Sequence, residues 1–366
     1  MLSTRLNPIN FFVFTKQLTR VASIIIQQSS PAISVVMPCF NSAHTVRRAI
    51  ESIQTQSITS WELIVVDDGS TDSSAEIVAS MAKNDLRIRF IRTPHGGVVS
   101  ASNYGFSLAK ADVIARMDSD DVSLPTRLET QLKLLEKSTH LSAVTCLAEF
   151  AGNVSISQGY AHHVAWTNRH ITSDEIALNR FIDLPFPHPT LMYRRELVTN
   201  LGGYRDGDFP EDYEMILRWI NAGVKIGKVN KLLYKWYDPA TRLSRNDPRY
   251  NPMAFHHIKA PYLANAIIAS GCGNKELWIW GAGRPARKCA EPLEQSWNKA
   301  SGFIDIDPRK IGQSLHGRQV VSPTNLPPAE QAVIVSYVGT RGARDVIRAD
   351  LLASNRKEGV DFWIAC

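Results

Sequence analysis

The chain has 366 residues, of which 44% are hydrophobic and 21% charged. That composition fits a soluble globular protein with room for two domains, and it excludes a disordered or fibrous chain. A net charge of +6 and a pI near 9.0 suit an anionic ligand but fall short of a nucleic-acid footprint. The five cysteines, Cys39, Cys146, Cys272, Cys289 and Cys366, are odd in number and lack CxxC spacing. A disulfide framework or zinc site is therefore not expected, and a reducing, cytoplasmic compartment is. No apolar run reaches 18 residues, so no transmembrane helix is expected.

Residues 1–30 carry two apolar patches, Phe11–Phe14 and Val21–Ile26, interrupted by Lys16 and Arg20. The pattern fits a signal peptide poorly and reads as a loosely docked extension, with a peripheral helix at the inner face of a membrane as the alternative. Ordered structure is expected from Pro31. Ile33–Pro38 reads as a buried strand, Ala43–Gln56 as an amphipathic helix behind Asn41 and Ser42, and Trp61–Val66 as a second strand ending in Asp67-Asp68-Gly69-Ser70. A helix capped by Asp72 or Ser73, a strand over Arg87–Ile91 and a helix from Gly96-Gly97 to Lys110 follow. Strand–helix alternation at about 30-residue spacing marks an α/β fold with a parallel sheet.

The next strand, Ala111–Met117, ends in Asp118, Asp120 and Asp121. On extended backbone Asp118 and Asp120 share a face, and two like charges so close call for a cation between them. Hard oxygen ligands suit Mg²⁺ or Mn²⁺, and strand ends are where open α/β sheets place ligands. An acidic turn capping the next helix is the plainer alternative. After a helix at Glu129–Lys137 and a strand at Ala143–Phe150, the pattern weakens over Ala151–Pro189, as expected for the variable wall of a site. Glu211 and Asp212 open a helix, whose dipole is expected to keep a carboxylate there ionised and able to act as a general base if it faces the cleft, a simple N-terminal charge preference being the alternative. Lys228–Trp236 reads as a late strand, and a linking helix is placed at 256–273.

A second unit spans 274–366. Glu276–Trp280 is a strand, followed by Gly281-Ala-Gly283-Arg-Pro-Ala286, a helix, and a strand ending in Asp305 and Asp307. Gly281, Gly283 and Asp305 approximate a dinucleotide fingerprint in strand–turn–helix context. An NAD(P)-linked oxidoreductase is thus a rival reading, but no catalytic Tyr/Lys or Cys/His pair stands near that turn. A small three-layer α/β packing or acceptor-recognition domain is the alternative.

Five segments carry a resemblance in order and spacing: Ile33-Ser-Val-Val-Met-Pro-Cys-Phe-Asn41, Val65-Val-Asp-Asp-Gly-Ser-Thr-Asp72, Met117-Asp-Ser-Asp-Asp121, Gly202-Gly-Tyr-Arg205 and Pro210-Glu-Asp-Tyr213. Over residues 31–255 the chain resembles the family 2 glycosyltransferases of GT-A fold, with a Rossmann-like domain appended. The resemblance implies a UDP-sugar donor, with Asp67 and Asp68 at uracil and ribose. Asp118 and Asp120 would match the family's DxD, Asp118 toward ribose and Asp120 on a Mn²⁺ or Mg²⁺ ion. Asp212 would be the base, with Glu211 beside it, in an inverting single displacement. Arg242 would face the diphosphate from a loop, a solvated surface position being the alternative, and His188 is a candidate for the acceptor pocket or a structural turn. The QxxRW motif of processive members is absent, which implies transfer of one sugar, to a surface glycan or lipid-linked sugar. The two-domain order also resembles the queuosine-tRNA galactosyltransferases, which implies tRNA as an alternative acceptor. Retention of Asp118, Asp120 and Asp212 together argues against a non-catalytic nucleotide-sugar sensor.

Overall fold

In a computed structural model of the chain, the described residues are 30–155, 157–239 and 242–366. The expectations for the N-terminal extension lie outside them, Ser30 apart. Two sheets organise the rest. The first has eight strands in the order β3-β2-β1-β4-β7-β6-β8-β5. These are β1 (Ile33–Cys39), β2 (Trp61–Asp67), β3 (Ile88–Arg92), β4 (Val113–Arg116), β5 (Val122–Ser123), β6 (Ala143–Phe150), β7 (Met192–Arg194) and β8 (Ile226–Trp236). β1 pairs in parallel with β2 and β4, and β2 with β3, so the acidic ends of β2 and β4 emerge on one edge. β7 runs antiparallel between β4 and β6 and reverses the direction of the sheet beside that edge.

Side-chain alternation sorts β1 and β2 into two cores. Val36, Ile64 and Val66 face the helix Gly97–Ser107, while Val35, Met37, Leu63 and Val65 face the helices Val46–Gln54 and Ser74–Asn84. With both faces covered, these strands are almost entirely apolar, as a buried parallel sheet requires.

The second sheet has the order β11-β12-β10-β9-β13-β14, formed by β9 (Glu276–Trp280), β10 (Ala300–Ile304), β11 (Ser314–Leu315), β12 (Arg318–Val321), β13 (Ala332–Ser336) and β14 (Phe362–Ile364). All pairings but β11–β12 are parallel. Leu277, Ile279 and Val333 pack toward the helices Arg284–Ser296 and Pro252–Ile267, and Trp280, Ile304 and Ile334 toward the helix Ala343–Ala353. This is the expected three-layer, Rossmann-like arrangement. The helix Pro252–Ile267 joins the two sheets through one continuous apolar core that includes Leu263 and Ile267.

Candidate active site

The site is built on the acidic edge of the first sheet. Asp118, Asp120 and Asp121 each place a carboxylate oxygen within 4.8 Å of the others. Their surroundings separate them. Both oxygens of Asp121 are taken, one by the Tyr234 hydroxyl at 2.9 Å and one by the Tyr237 amide at 2.7 Å. Asp121 therefore ties the loop after β4 to β8. Asp118 is paired with Arg116 at 2.7 Å. Burial, and then the neighbouring Asp118 charge, push Asp120 up to about 6. Two oxygen-bearing groups held together against their own repulsion fit a hard divalent cation, so Asp118 and Asp120 are the pair that would hold one.

Arg242 is not the solvated side chain of the plainer alternative. Its guanidinium stacks 3.8 Å from the Trp236 ring centroid and donates to the Tyr237 carbonyl at 3.0 Å, and its charge opposes the rise at Asp120. From the other side of the acidic loop, Arg48 donates to the Asp120 carbonyl at 2.7 Å and stacks on Tyr237.

At the end of β2, Asp68 lines the cavity and Asp67 lies fully buried behind it. Asp67 is 3.3 Å from the Arg92 guanidinium. The Asp68 carboxylate accepts from the amides of Gly96 and Gly97 at 2.8 and 2.9 Å and contacts His95. Gly69 lets backbone approach closely: at a φ of +71°, a Cβ on Gly69 would lie 2.8 Å from the His95 backbone nitrogen. The Asp67-Asp68-Gly69 turn thus holds the 95–97 loop against the cavity.

Glu211 and Asp212 open the helix Glu211–Asn221 and face the same cavity. The Tyr250 hydroxyl lies 2.9 and 2.8 Å from the two Glu211 oxygens and donates to that carboxylate. The sequence suggested that the helix dipole keeps Asp212 ionised at neutral pH. The structure corrects this: burial, followed by the Glu211 charge, raises Asp212 to about 7. Dipole stabilisation is the smaller effect because the carboxylate is withdrawn from water beside a second acid.

These groups share a cavity of about 1000 Å³ with His188, Arg116 and Arg242. His188 sits in a single turn of 3₁₀ helix, His188–Thr190. Its Nε2 meets the Tyr204 hydroxyl, which also accepts from Arg116 at 3.3 Å. His188 Nδ1 is buried without a partner, and burial and then Arg116 hold the ring well below its usual pKa. It therefore both shapes a turn and lines the pocket. Arg116 and Tyr250 carry no signal in the sequence: Arg116 lies inside a mostly apolar strand, and Tyr250 lies 39 residues from its partner. Asp121, grouped in sequence with Asp118 and Asp120, proves to be a structural tie.

The glycine turn of the second unit is closed on itself. Asp305 accepts from the Ala282 amide and from Lys310, both at 3.0 Å, and from the Asp307 amide at 2.9 Å. Gly281, at a φ of +120°, is packed so that a Cβ would meet Ala286 at 2.6 Å, while Gly283 begins the helix Arg284–Ser296. Asp305, the acid of the fingerprint-like pattern, thus bonds to its own loop.

Residues 34–202 match glycosyl transferase family 2. The putative glycosyltransferase EpsE of Bacillus subtilis is 32% identical over 228 residues, which is 61% of this chain and 79% of that protein. The chain belongs to glycosyltransferase family 2. It also matches the chondroitin synthase of Pasteurella multocida at 35% identity over 210 residues, covering 56% of this chain but 20% of that much longer protein. Residues 1–349 of S. aureus TarS, solved in complex with UDP-GlcNAc, share the fold with a TM-score of 0.51 at 17% identity, over 72% of this chain and 71% of that one. As a family 2 glycosyltransferase the protein is an enzyme with a GT-A-type sheet, and its clustered aspartates are DxD-like. No described helix is long and apolar enough to cross a membrane.

Proposed function

We propose that this glycosyltransferase moves one sugar from a UDP-sugar to a hydroxyl of a surface glycan or lipid-linked sugar, with inversion at the anomeric carbon. The observation that carries the reading is the meeting, in one cavity, of the Asp118–Asp120 pair with Asp212, whose raised pKa suits proton abstraction near neutral pH. TarS, a fold relative, was solved with UDP-GlcNAc, which supports a uridine nucleotide donor.

Asp118 and Asp120 would hold a Mg²⁺ or Mn²⁺ ion, which when bound neutralises charge on the diphosphate leaving group. Arg242, held on Trp236, supplies a fixed positive charge next to the same place. Asp68 and the 95–97 loop form the wall nearest β2 and would line the nucleoside, with Asp67 bracing that wall from behind. Asp212 takes the proton of the acceptor hydroxyl as its oxygen bonds to the anomeric carbon. The bond from that carbon to the diphosphate oxygen breaks, and UDP leaves with the electron pair. Attack on the face opposite the leaving group gives inversion. Glu211, pinned by Tyr250, keeps Asp212 basic enough to accept that proton.

Thermal stabilisation by UDP, GDP, NAD⁺ and NADP⁺, each with and without Mn²⁺, tests the donor half of the proposal. Binding to the native state alone raises the melting temperature by mass action. A Mn²⁺-dependent rise with UDP is expected. A rise with NAD⁺ and none with UDP would overturn the reading and move the working site to the Gly281 turn.

A further inference from the structure

The donor and the acidic pair account for only part of the cavity. The remainder is walled by the helix Gln158–Thr167, the segment 183–187 and Phe255. None of these belongs to the motifs that mark the donor side, so this is where the chain states its own acceptor preference.

Its chemistry has two parts. The first is apolar. Half-buried Phe255 offers the apolar surface, with Val164, Leu184 and Phe186 buried behind it, and Phe255 is held by a ring contact with Tyr213, the residue after Asp212, at 5.3 Å between centroids. Such surfaces suit the C–H face of a sugar ring. The second is one polar pair. His163 Nδ1 lies 3.3 Å from Asp183 Oδ2, and the other Asp183 oxygen accepts from the Leu184 amide at 2.7 Å. With Nδ1 turned to Asp183, Nε2 is the ring nitrogen left for a ligand. The pair is close to the chemistry, because Asp183 is among the charges that raise Asp212.

Charge then narrows the ligand. Asp183, Glu211, Asp212 and Asp247 face this part of the cavity, and Asp247 is already matched to Arg249 at 2.7 Å. Arg242 acts on the Asp118–Asp120 side, while Arg116, paired with Asp118, and Arg249, paired with Asp247, also act on Glu211, so the carboxylates still outnumber the cations at this wall. A phosphate or carboxylate on the acceptor would be brought against these carboxylates, and that like-charge contact weakens its binding. A ring bearing only hydroxyl or amide groups meets no such opposition, and its hydroxyls match the donor and acceptor capacity of His163 and Asp183.

We infer that the wall formed by residues 160–187 and Phe255 is the acceptor subsite, that it takes an uncharged sugar ring in preference to a phosphorylated, uronic or polynucleotide acceptor, and that His163 and Asp183 read its hydroxyls. The inference rests on the proposed donor site. It also disfavours the tRNA alternative, because the phosphates of a polynucleotide would approach Asp212 past Asp183.

The test is saturation-transfer NMR on the full chain saturated with UDP and Mn²⁺. The probes are methyl β-glucoside, methyl β-galactoside, methyl β-N-acetylglucosaminide, methyl β-glucuronide, glycerol 3-phosphate and unfractionated tRNA. At least one uncharged glycoside is expected to bind, with the glucuronide and glycerol 3-phosphate weaker by tenfold or more. His163→Ala and, separately, Asp183→Asn should weaken that glycoside about tenfold while UDP affinity, measured by calorimetry on the same samples, stays within twofold. Binding of tRNA or the anionic probes alone, binding of no glycoside, or glycoside binding untouched by both variants would overturn the inference. UDP affinity is measured first in the unaltered protein. Its absence would sink the donor reading, whereas its presence with failed glycoside arms sinks this inference alone.

Discussion

Replacing Asp212 with Asn should remove transfer and stabilise the protein, and both effects come from the same burial. Partial withdrawal from water, and then the neighbouring Glu211 charge, raise Asp212 from 3.8 to about 7. Each tenfold change in proton affinity is worth about 1.4 kcal/mol, so the ionised side chain destabilises the fold by at most about 4 kcal/mol above neutral pH. Between pH 3.8 and 7 the unfolded chain has released a proton that the folded chain keeps, so stability falls as pH rises through this window and levels off above it. Asn has no such proton. The stability gap between variant and parent should therefore grow from roughly 1 kcal/mol near pH 4.5 to its ceiling of about 4 near pH 8. Each kcal/mol is worth roughly 2–4 °C in the melting temperature of a unit this size. The assay is calorimetric melting of the metal-free protein across that pH range, alongside UDP binding and sugar transfer. Transfer should drop by about 10²- to 10⁴-fold with UDP affinity unchanged. In the parent enzyme, transfer should rise with pH through about 7 as the base ionises. Transfer within tenfold of the parent, or a melting gap independent of pH, would refute the assignment of Asp212 as a buried base.

Three further outcomes follow from the same geometry. Asp120→Ala should abolish the Mn²⁺-dependent part of UDP binding in calorimetry, because Asp121 cannot substitute while both its oxygens are held by Tyr234 and Tyr237. Tyr250→Phe should lower stability by about 1–3 kcal/mol in denaturant titration, since the buried Glu211 carboxylate loses the hydroxyl shared by both its oxygens. Gly69→Ala should cost about 1–3 kcal/mol and weaken UDP binding, because the left-handed backbone is strained for alanine and the added Cβ displaces His95 from the cavity wall. Unchanged UDP affinity in that last variant would separate the 95–97 loop from the nucleoside.

The strands of the first sheet were legible because β1, β2 and β4 are buried on both faces and read as continuous apolar runs bounded by turns. The acidic ends of β2 and β4 were legible because carboxylates stand out directly after such apolar runs, although Asp68 and Asp121 prove also to hold loops in place. What escaped notice was set by contacts distant in sequence. β7 is three residues long, carries no period, and exists because β4 and β6 each offer it an edge. The helix Gln158–Thr167 is marked by two histidines and a tryptophan rather than by a clear apolar stripe. The ionisation of Asp212 was misread for a related reason. A sequence shows the helix N-terminus but not the depth at which the carboxylate sits, and depth decides the larger electrostatic effect.

The second unit takes on a different meaning once its closed glycine turn is set beside the helix Pro252–Ile267. That helix reaches the catalytic helix by three contacts. Just before it, Tyr250 holds Glu211; Phe255 meets the Tyr213 ring; and Tyr262 donates to Glu214 at 2.8 Å. On its other side Lys259 donates to the Ala365 carbonyl at 2.6 Å, next to β14 of the second sheet. Ala260, Leu263, Ala264 and Ile267 are buried in the core shared with the helix Arg284–Ser296. A lysine at 2% exposure is stable there only with its ammonium satisfied, so its bond to the chain beyond β14 fixes the helix along its length. Asp305 holds its own loop, while Lys259 and the shared apolar core hold the second unit against the helix Pro252–Ile267, which in turn packs on the helix Glu211–Asn221. On these contacts the second unit braces, through the helix Pro252–Ile267, the helix that bears the proposed base.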